Sequence, residues 1–178
     1  METRAKPPPS KRPPKASGRP NEFQTEPKDV RPLLPFLPKN KIIWEPAQGE
    51  GQIVAFLHGM GYNVVGTDIL NGFDFLSPLA APPAFDIIVT NPPYSIKDQW
   101  LERCFALEKP FALFLPITIF DSKERRALFK RYKPQFLMPD DRPTFTTPSG
   151  KKGGSWFYCT WICWQFDLPD RITYAEAA

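Results

Sequence analysis

The stretch Asp86-Ile87-Ile88-Val89-Thr90-Asn91-Pro92-Pro93-Tyr94 sets a short apolar, β-branched run directly against a diproline corner. A run of this length, bounded by turn residues, reads as a strand buried on both faces, the kind found in parallel sheets. Proline fixes φ, carries no N–H and pushes the residue before it into an extended conformation. Asn91 and the Pro92 carbonyl therefore stand in a preset turn at the strand's carboxyl end. That is where open α/β sheets place their ligands.

Outward from this stretch the pattern alternates between β-like runs and amphipathic helical stretches, which predicts an α/β fold with a mostly parallel sheet and helices on both faces. Strands are expected over residues 41 to 44, 63 to 67, 85 to 90, 111 to 115 and 135 to 138. A long antiparallel strand over 156 to 166 is expected to end the sheet. Ile53, Phe56, Leu57 and Met60 recur at helical spacing and predict a crossover helix from about residue 52. Ser95 followed by Asp98 resembles a capping box, and Asp121 with Glu124 makes a similar start for a helix running to about Lys133, with Leu128, Phe129 and Tyr132 facing inward.

Two constellations carry chemistry. Glu45-Pro46-Ala47-Gln48-Gly49-Glu50-Gly51 joins the first strand to the first helix, where glycines let the backbone turn sharply toward a ligand. Its spacing is not that of a dinucleotide-binding loop, which disfavours a phosphate cradle. Asp68 follows at the end of the second strand, near the spacing at which an acid meets ribose hydroxyls, so a nucleoside-like cofactor fits. The second constellation is Asn91 to Tyr94. An aromatic exocyclic amine is a poor nucleophile because its lone pair is delocalised into the ring. Accepting hydrogen bonds from both its N–H atoms, at Asn91 and the Pro92 carbonyl, localises that pair on nitrogen. Tyr94 would stack on a base taken out of its helix.

With these residues the chain resembles the S-adenosylmethionine-dependent amino-methyltransferases, the adenine-N6 and cytosine-N4 enzymes and their relatives. The resemblance covers residues 21 to about 165 and implies a class I, Rossmann-like methyltransferase domain with seven strands. It implies that Phe23, Thr25, Glu45, Pro46, Ala47, Gly49, Gly51, Asp68, Ile69, Asp74 and Phe75 bind S-adenosyl-L-methionine. Within Gly72-Phe73-Asp74-Phe75-Leu76, the acid would meet the cofactor's adenine amine and Phe75 would line its ring. Asn91, Pro92, Pro93 and Tyr94 are the catalytic tetrapeptide by the same likeness. Cofactor elements ahead of the tetrapeptide match the family's γ-type order. Asparagine at position 91 favours adenine N6, with DNA as the substrate. Related readings are RNA adenine or guanine amino groups and a protein glutamine amide. A reading of another class is an inactive protein of this fold that binds nucleic acid as a partner subunit. The mechanism implied is direct in-line methyl transfer without a metal. No stretch is long enough for a separate target-recognition domain, so a protein partner is expected to supply recognition.

Charge and composition set the bounds. The 178 residues suffice for one domain, expected over 21 to 170 with a tail over 171 to 178. Residues 1 to 20 hold six basic side chains against Glu2, with too little apolar content to fold, and are expected to be disordered. They either tether the protein to phosphates or simply keep it soluble. The rest holds 17 basic and 18 acidic residues, so nucleic-acid contact there requires a local patch. Candidates are Lys123, Arg125, Arg126 and Lys130 on the helix after Asp121, and Lys151 with Lys152 before Gly153-Gly154. Cys104, Cys159 and Cys163 sit in apolar surroundings and read as structural thiols, and His58, the only histidine, has no catalytic role in this reading. No apolar run is long enough for a membrane span or a secretory signal, and a cytoplasmic location is expected.

Overall fold

The computed structural model describes residues 24–78, 84–146, 152–155 and 157–175, with the backbone alone at Lys152 and Gly154. Phe23, Lys151, the Lys152 side chain, Trp156 and the tail over 1 to 20 therefore lie outside the described residues.

The strands form where the apolar runs predict them: β2 (Ile42–Glu45), β3 (Asn63–Gly66), β4 (Ile87–Thr90), β5 (Phe111–Pro116), β6 (Gln135–Met138) and β9 (Cys159–Trp164). With β10 (Ile172–Tyr174) they build a seven-stranded sheet in the order β10-β6-β9-β5-β4-β2-β3. Strand β9 runs antiparallel to β5 and β6, and every other pairing is parallel. Every residue of β4 and of β5 is buried, as a sheet covered on both sides requires. Because successive side chains point to opposite faces, Ile43, Ile87, Val89 and Phe114 join one hydrophobic cluster, while Trp44, Ile88, Leu113 and Leu115 join another. The first cluster takes Ile53 and Leu57 from helix α2 (Gln52–Gly59) together with Val30, which ends the short helix α1 (Pro27–Val30). The second takes Trp100, Leu101, Cys104 and Phe105 from α3 (Lys97–Ala106) and Phe129 from α4 (Lys123–Tyr132).

Several expectations need correction. The antiparallel strand is shorter than residues 156 to 166, since Phe157 N bonds Ser155 Oγ in a turn and Gln165 takes φ +55, which breaks the extended run. Nor is it the last strand, because residues 172 to 174, expected in a tail, line the β6 edge. Their pairing is a backbone matter, with Phe136 N–H donating to Arg171 O at 2.8 Å and Ala175 N–H to Met138 O at 2.8 Å. Ile172 and Tyr174 stay exposed, so no burial pattern announces this strand. The region between 140 and 155, read as a loop, contains β7 (Thr144–Thr146) and β8 (Lys152–Gly154). With β1 (Gln24–Thr25) they make a separate three-stranded sheet, β1-β7-β8. Helix α3 starts at Lys97, behind a turn of 3-10 helix, Tyr94–Ile96, and its N-cap is Ile96. Helix α4 is capped by Ser122, not Asp121, through Arg125 N–H to Ser122 Oγ at 3.3 Å.

Among the described residues no helix is long and apolar enough to cross a membrane. The three cysteines are buried and unpaired, and burial pushes their thiols up, Cys159 to about 12. They behave as core hydrophobes.

Candidate active site

The chain leaves β2 for β3 on one side and then returns to β4 on the other side of β2. Connections that diverge from adjacent parallel strands open a crevice beyond the strands' carboxyl ends, and ligands of α/β sheets bind there. A cavity of about 510 Å³ occupies that crevice. Its walls are the turn after β2 (residues 46 to 50), the end of β3 (68 to 70), the segment 73 to 76, and Asn91 and Pro93 after β4. Gln24, Thr25, Ile53, Ile96 and Trp100 complete it. The size suits a small organic ligand, for which about 300–1,000 Å³ is usual.

The turn after β2 owes its shape to backbone geometry and two acids. Gly49 has φ +52, a left-handed conformation that favours glycine, and a Cβ there would push aside the Gln24 side chain, whose Nε2 lies 2.5 Å from its position. Asp68 is buried at the end of β3 and receives Gly49 N–H on Oδ2 and Leu70 N–H on Oδ1, both at 2.9 Å. The acid thus fastens the glycine turn to the neighbouring strand, and each oxygen keeps a lone pair for a ligand. Glu45, fully buried, accepts Ala47 N–H at 2.9 Å and the Thr90 hydroxyl on Oε1, while Oε2 is buried without a partner. Burial lifts its pKa from 4.5 to about 8, against those two hydrogen bonds and with help from the nearby charge of Asp68.

At the end of β4, Asn91 Nδ2 donates to Thr25 Oγ1 at 2.8 Å, and Asn91 Oδ1 is buried without a partner. A buried acceptor left unmade costs about 1–3 kcal/mol, so an orphan here marks a place where a donor is missing. Tyr94 hydroxyl lies 3.5 Å from Cys159 Sγ, its ring is edge-on to Phe145 and Phe157, and burial pushes its pKa well above the usual value. Phe75 is buried and stacks on Trp100 with ring centroids 4.2 Å apart, and the Trp100 indole N–H is a further orphan beside Glu45 Oε2 and Asn91 Oδ1.

Of the residues expected at the cofactor, Thr25, Pro46, Ala47, Gly49, Asp68, Ile69, Asp74 and Phe75 line this one cavity. Glu45, Gly51, Pro92 and Tyr94 are not among its lining residues: Glu45 and Pro92 are buried, Gly51 at φ +84 starts α2, and the Tyr94 ring packs against Phe145 and Phe157. The expected nucleic-acid contact at Arg125 is overturned. Arg125 is buried, pairs with Asp98 at 2.9 Å and donates from Nε to Ile119 O at 2.6 Å, so it locks α4 to the preceding turn. Lys123, Arg126 and Lys130 remain exposed on the same helix.

Sequence reading missed Thr90, Gly66 and Trp100. Thr90 reads as strand filler, yet it ties β4 to Glu45. A Cβ on Gly66 would fall 2.0 Å from Gln48 Oε1, and a glycine closing a strand is a usable signal of such close approach. Trp100 reads as part of an apolar helix stripe, which it also is.

No protein-family model and no curated protein matches the sequence. Among solved structures, the chain resembles a modification subunit of a putative type I restriction enzyme from Vibrio vulnificus YJ016, at TM-score 0.53 and 12% identity. The chain shares the fold of the part of that subunit it matches. The match covers 88% of this chain and 46% of that one, so the chain spans less than half the subunit's length. A predicted O-methyltransferase from Agrobacterium tumefaciens gives TM-score 0.38 at 14% identity, over 75% of this chain and 65% of that one, too slight a likeness to support argument.

Proposed function

We propose that the chain is an S-adenosylmethionine-dependent methyltransferase with helices on both faces of its sheet, acting on an exocyclic amino group, with adenine N6 of DNA the favoured acceptor. The observation that carries this reading is the buried, unpartnered Asn91 Oδ1 at the wall of the switch-point cavity. A buried acceptor without a donor, on a residue that lines the cavity, supports a role for Asn91 toward the N–H of an amine.

The residues present fit the cofactor. Gly49 lines the cavity on the turn after β2, Asp68 has lone pairs to spare for hydroxyls, and Phe75 offers an aromatic wall. S-adenosylmethionine supplies a methyl group activated on a sulfonium. The protein's part is positioning: Asn91 Oδ1 and the Pro92 carbonyl accept the two N–H atoms of the amine and localise its lone pair, and Tyr94, anchored at its hydroxyl, holds the target ring. Lys123, Arg126 and Lys130 would meet backbone phosphates. A protein partner that selects the target completes the proposal, in keeping with a structural neighbour described as one subunit of a restriction enzyme.

The test supplies DNA, RNA and protein in parallel with tritiated S-adenosylmethionine and analyses digested products by mass spectrometry. N6-methyladenine from DNA is the expected product, and label confined to RNA or protein would refute the acceptor. A ligand at about 100 times its dissociation constant stabilises a protein by about 2.7 kcal/mol, so S-adenosylhomocysteine is expected to raise the melting temperature. No shift together with no product would refute the enzyme and favour a binding protein.

A further inference from the structure

A carboxamide has two orientations of nearly equal shape, and they are opposite in chemistry. With Oδ1 toward an incoming amine, Asn91 accepts. With the NH2 group toward it, donor meets donor. Backbone placement by the diproline corner does not choose between them, because the rotation lies in the side chain. In the structure one orientation is tied to a residue far away in sequence: Asn91 Nδ2 donates to Thr25 Oγ1 at 2.8 Å, with the Tyr94 hydroxyl a weaker second neighbour of the same side chain, and Oδ1 is left as the unpartnered buried atom. We propose that Thr25 is a positioning residue whose hydroxyl, by accepting the Asn91 side-chain N–H, fixes the carboxamide with its oxygen toward the acceptor amine. This rests on the methyl-transfer reading and reassigns Thr25, which the family likeness places at the cofactor.

Thr25 is itself held from elsewhere, as a residue that orients another must be. It is 3% exposed and lies on β1, paired antiparallel with β7 so that Gln24 opposes Thr146 and Thr25 opposes Phe145. Two carboxylates secure the flank: Glu26 bonds the Thr146 hydroxyl, and Asp29 accepts Thr144 N–H at 3.3 Å. The indole N–H of Trp161, on β9, donates to Asp29 O at 2.7 Å and ties this strap to the main sheet. The hydroxyl is therefore set in place without any ligand. Thr25 and Asn91 also line the same cavity, so a cofactor contact is the competing role.

The two roles separate in Thr25→Val, which keeps shape and branching but removes the acceptor, and in Thr25→Ser, which keeps the hydroxyl. Turnover would be measured on DNA lacking N6-methyladenine, alongside the side-chain amide signals of Asn91 in 15N-labelled full-length protein, assigned by their loss in Asn91→Ala. Misplacement of a reacting group by about 1 Å costs about 100-fold, so Thr25→Val is expected to lower kcat by about 10- to 100-fold. The KM for S-adenosylmethionine should hold, the Asn91 amide signals should shift and exchange faster with solvent, and Thr25→Ser should restore both. Unchanged amide signals overturn the proposal, as does a raised KM with kcat intact. If the amide signals respond but neither Asn91→Ala nor Thr25→Val alters turnover, the hydrogen bond stands but the carboxamide has no part in the transfer, which overturns the proposal, whereas a parent protein that transfers no methyl group to DNA, RNA or protein brings down the methyl-transfer reading itself. Thr25→Ala serves in place of the valine variant should that one not fold.

Discussion

Two cavities of similar size lie at opposite ends of the same sheet. The one at the carboxyl ends measures about 510 Å³, and the one at the amino ends, among residues 35 to 38, Lys41, Asp86, Lys109, Pro110 and 165 to 167, about 560 Å³. Volume does not tell them apart, but the state of their polar groups does. At the amino ends, Asp86 accepts Ile42 N–H at 2.9 Å and pairs with Lys41 at 3.4 Å, and that hydrogen bond first, then the lysine, holds its carboxyl below the usual range. At the carboxyl ends, Asn91 Oδ1 and Trp100 Nε1 are buried without partners on two lining residues. A folded chain rarely tolerates such orphans where it gains nothing from them. On that difference rests our proposal that one cavity is a site and the other a dent between loops.

The comparison breaks most directly at Asn91. Asn91→Ala removes the orphaned acceptor and is expected to cut turnover by at least about 100-fold, the cost usual for one preorganised group at a reacting centre. Affinity for S-adenosylhomocysteine, measured by calorimetry, should stay near the parent value. Retained turnover would show that the orphan has no part in the chemistry. Asp68→Ala comes next and should act on binding. Without the acid, Gly49 and Leu70 N–H lose their acceptor and the glycine turn loosens from β3. Two hydrogen bonds to a charged group at about 1.5–3 kcal/mol each set an upper limit, and a fall in affinity of about 10- to 100-fold is expected once water replaces part of them. Equal affinity in the variant would remove Asp68 from the site.

Strands β2 to β6 and the turn after β2 were legible because each of these strands holds apolar residues and is closed by glycine or proline, a local pattern that burial enforces. What escaped was held by contacts the pattern does not encode. Strand β10 pairs through backbone alone, with Ile172 and Tyr174 exposed. Strands β7 and β8 are short and polar, and they exist through pairing with one another and with a segment more than 100 residues earlier. Arg125 looks like its basic neighbours until α4 is docked and Asp98 and Ile119 O claim it. At the site the residue types could be read, but the protein partners that hold them could not. The family likeness puts Glu45, Thr25 and Tyr94 at ligands, and the structure adds Thr90 beside Glu45, Asn91 beside Thr25 and Cys159 beside the Tyr94 hydroxyl.

Glu45 sharpens the comparison through pH, because its pKa moves in the direction opposite to that of Asp86. Raised to about 8 by burial, it keeps its proton in the folded protein at a pH where the unfolded chain, titrating near 4.5, has lost it. Its contribution to stability is complete below pH 4.5 and is lost as pH rises through 8. Asp29, raised to about 6 by burial, acts in the same sense at lower pH. Between pH 6 and 8 the decline in melting temperature should therefore belong mainly to Glu45, and Glu45→Gln, uncharged at every pH, should flatten it. Parallel curves for the two proteins would show that the carboxyl is charged in the fold.

The smallest effect is expected at the other cavity, from Lys41→Ala. Lys41 and Asp86 are 47% and 35% exposed, so water and salt screen their attraction and each has solvent as an alternative partner. Asp86 also keeps its bond to Ile42 N–H, which holds the start of β4 against β2 without the lysine. Turnover and affinity for S-adenosylhomocysteine should both be unchanged, and the melting temperature should move little and less at high salt. A loss of turnover like that of Asn91→Ala would place chemistry at the amino ends of the strands, and satisfied polar groups would then no longer distinguish a dent from a site.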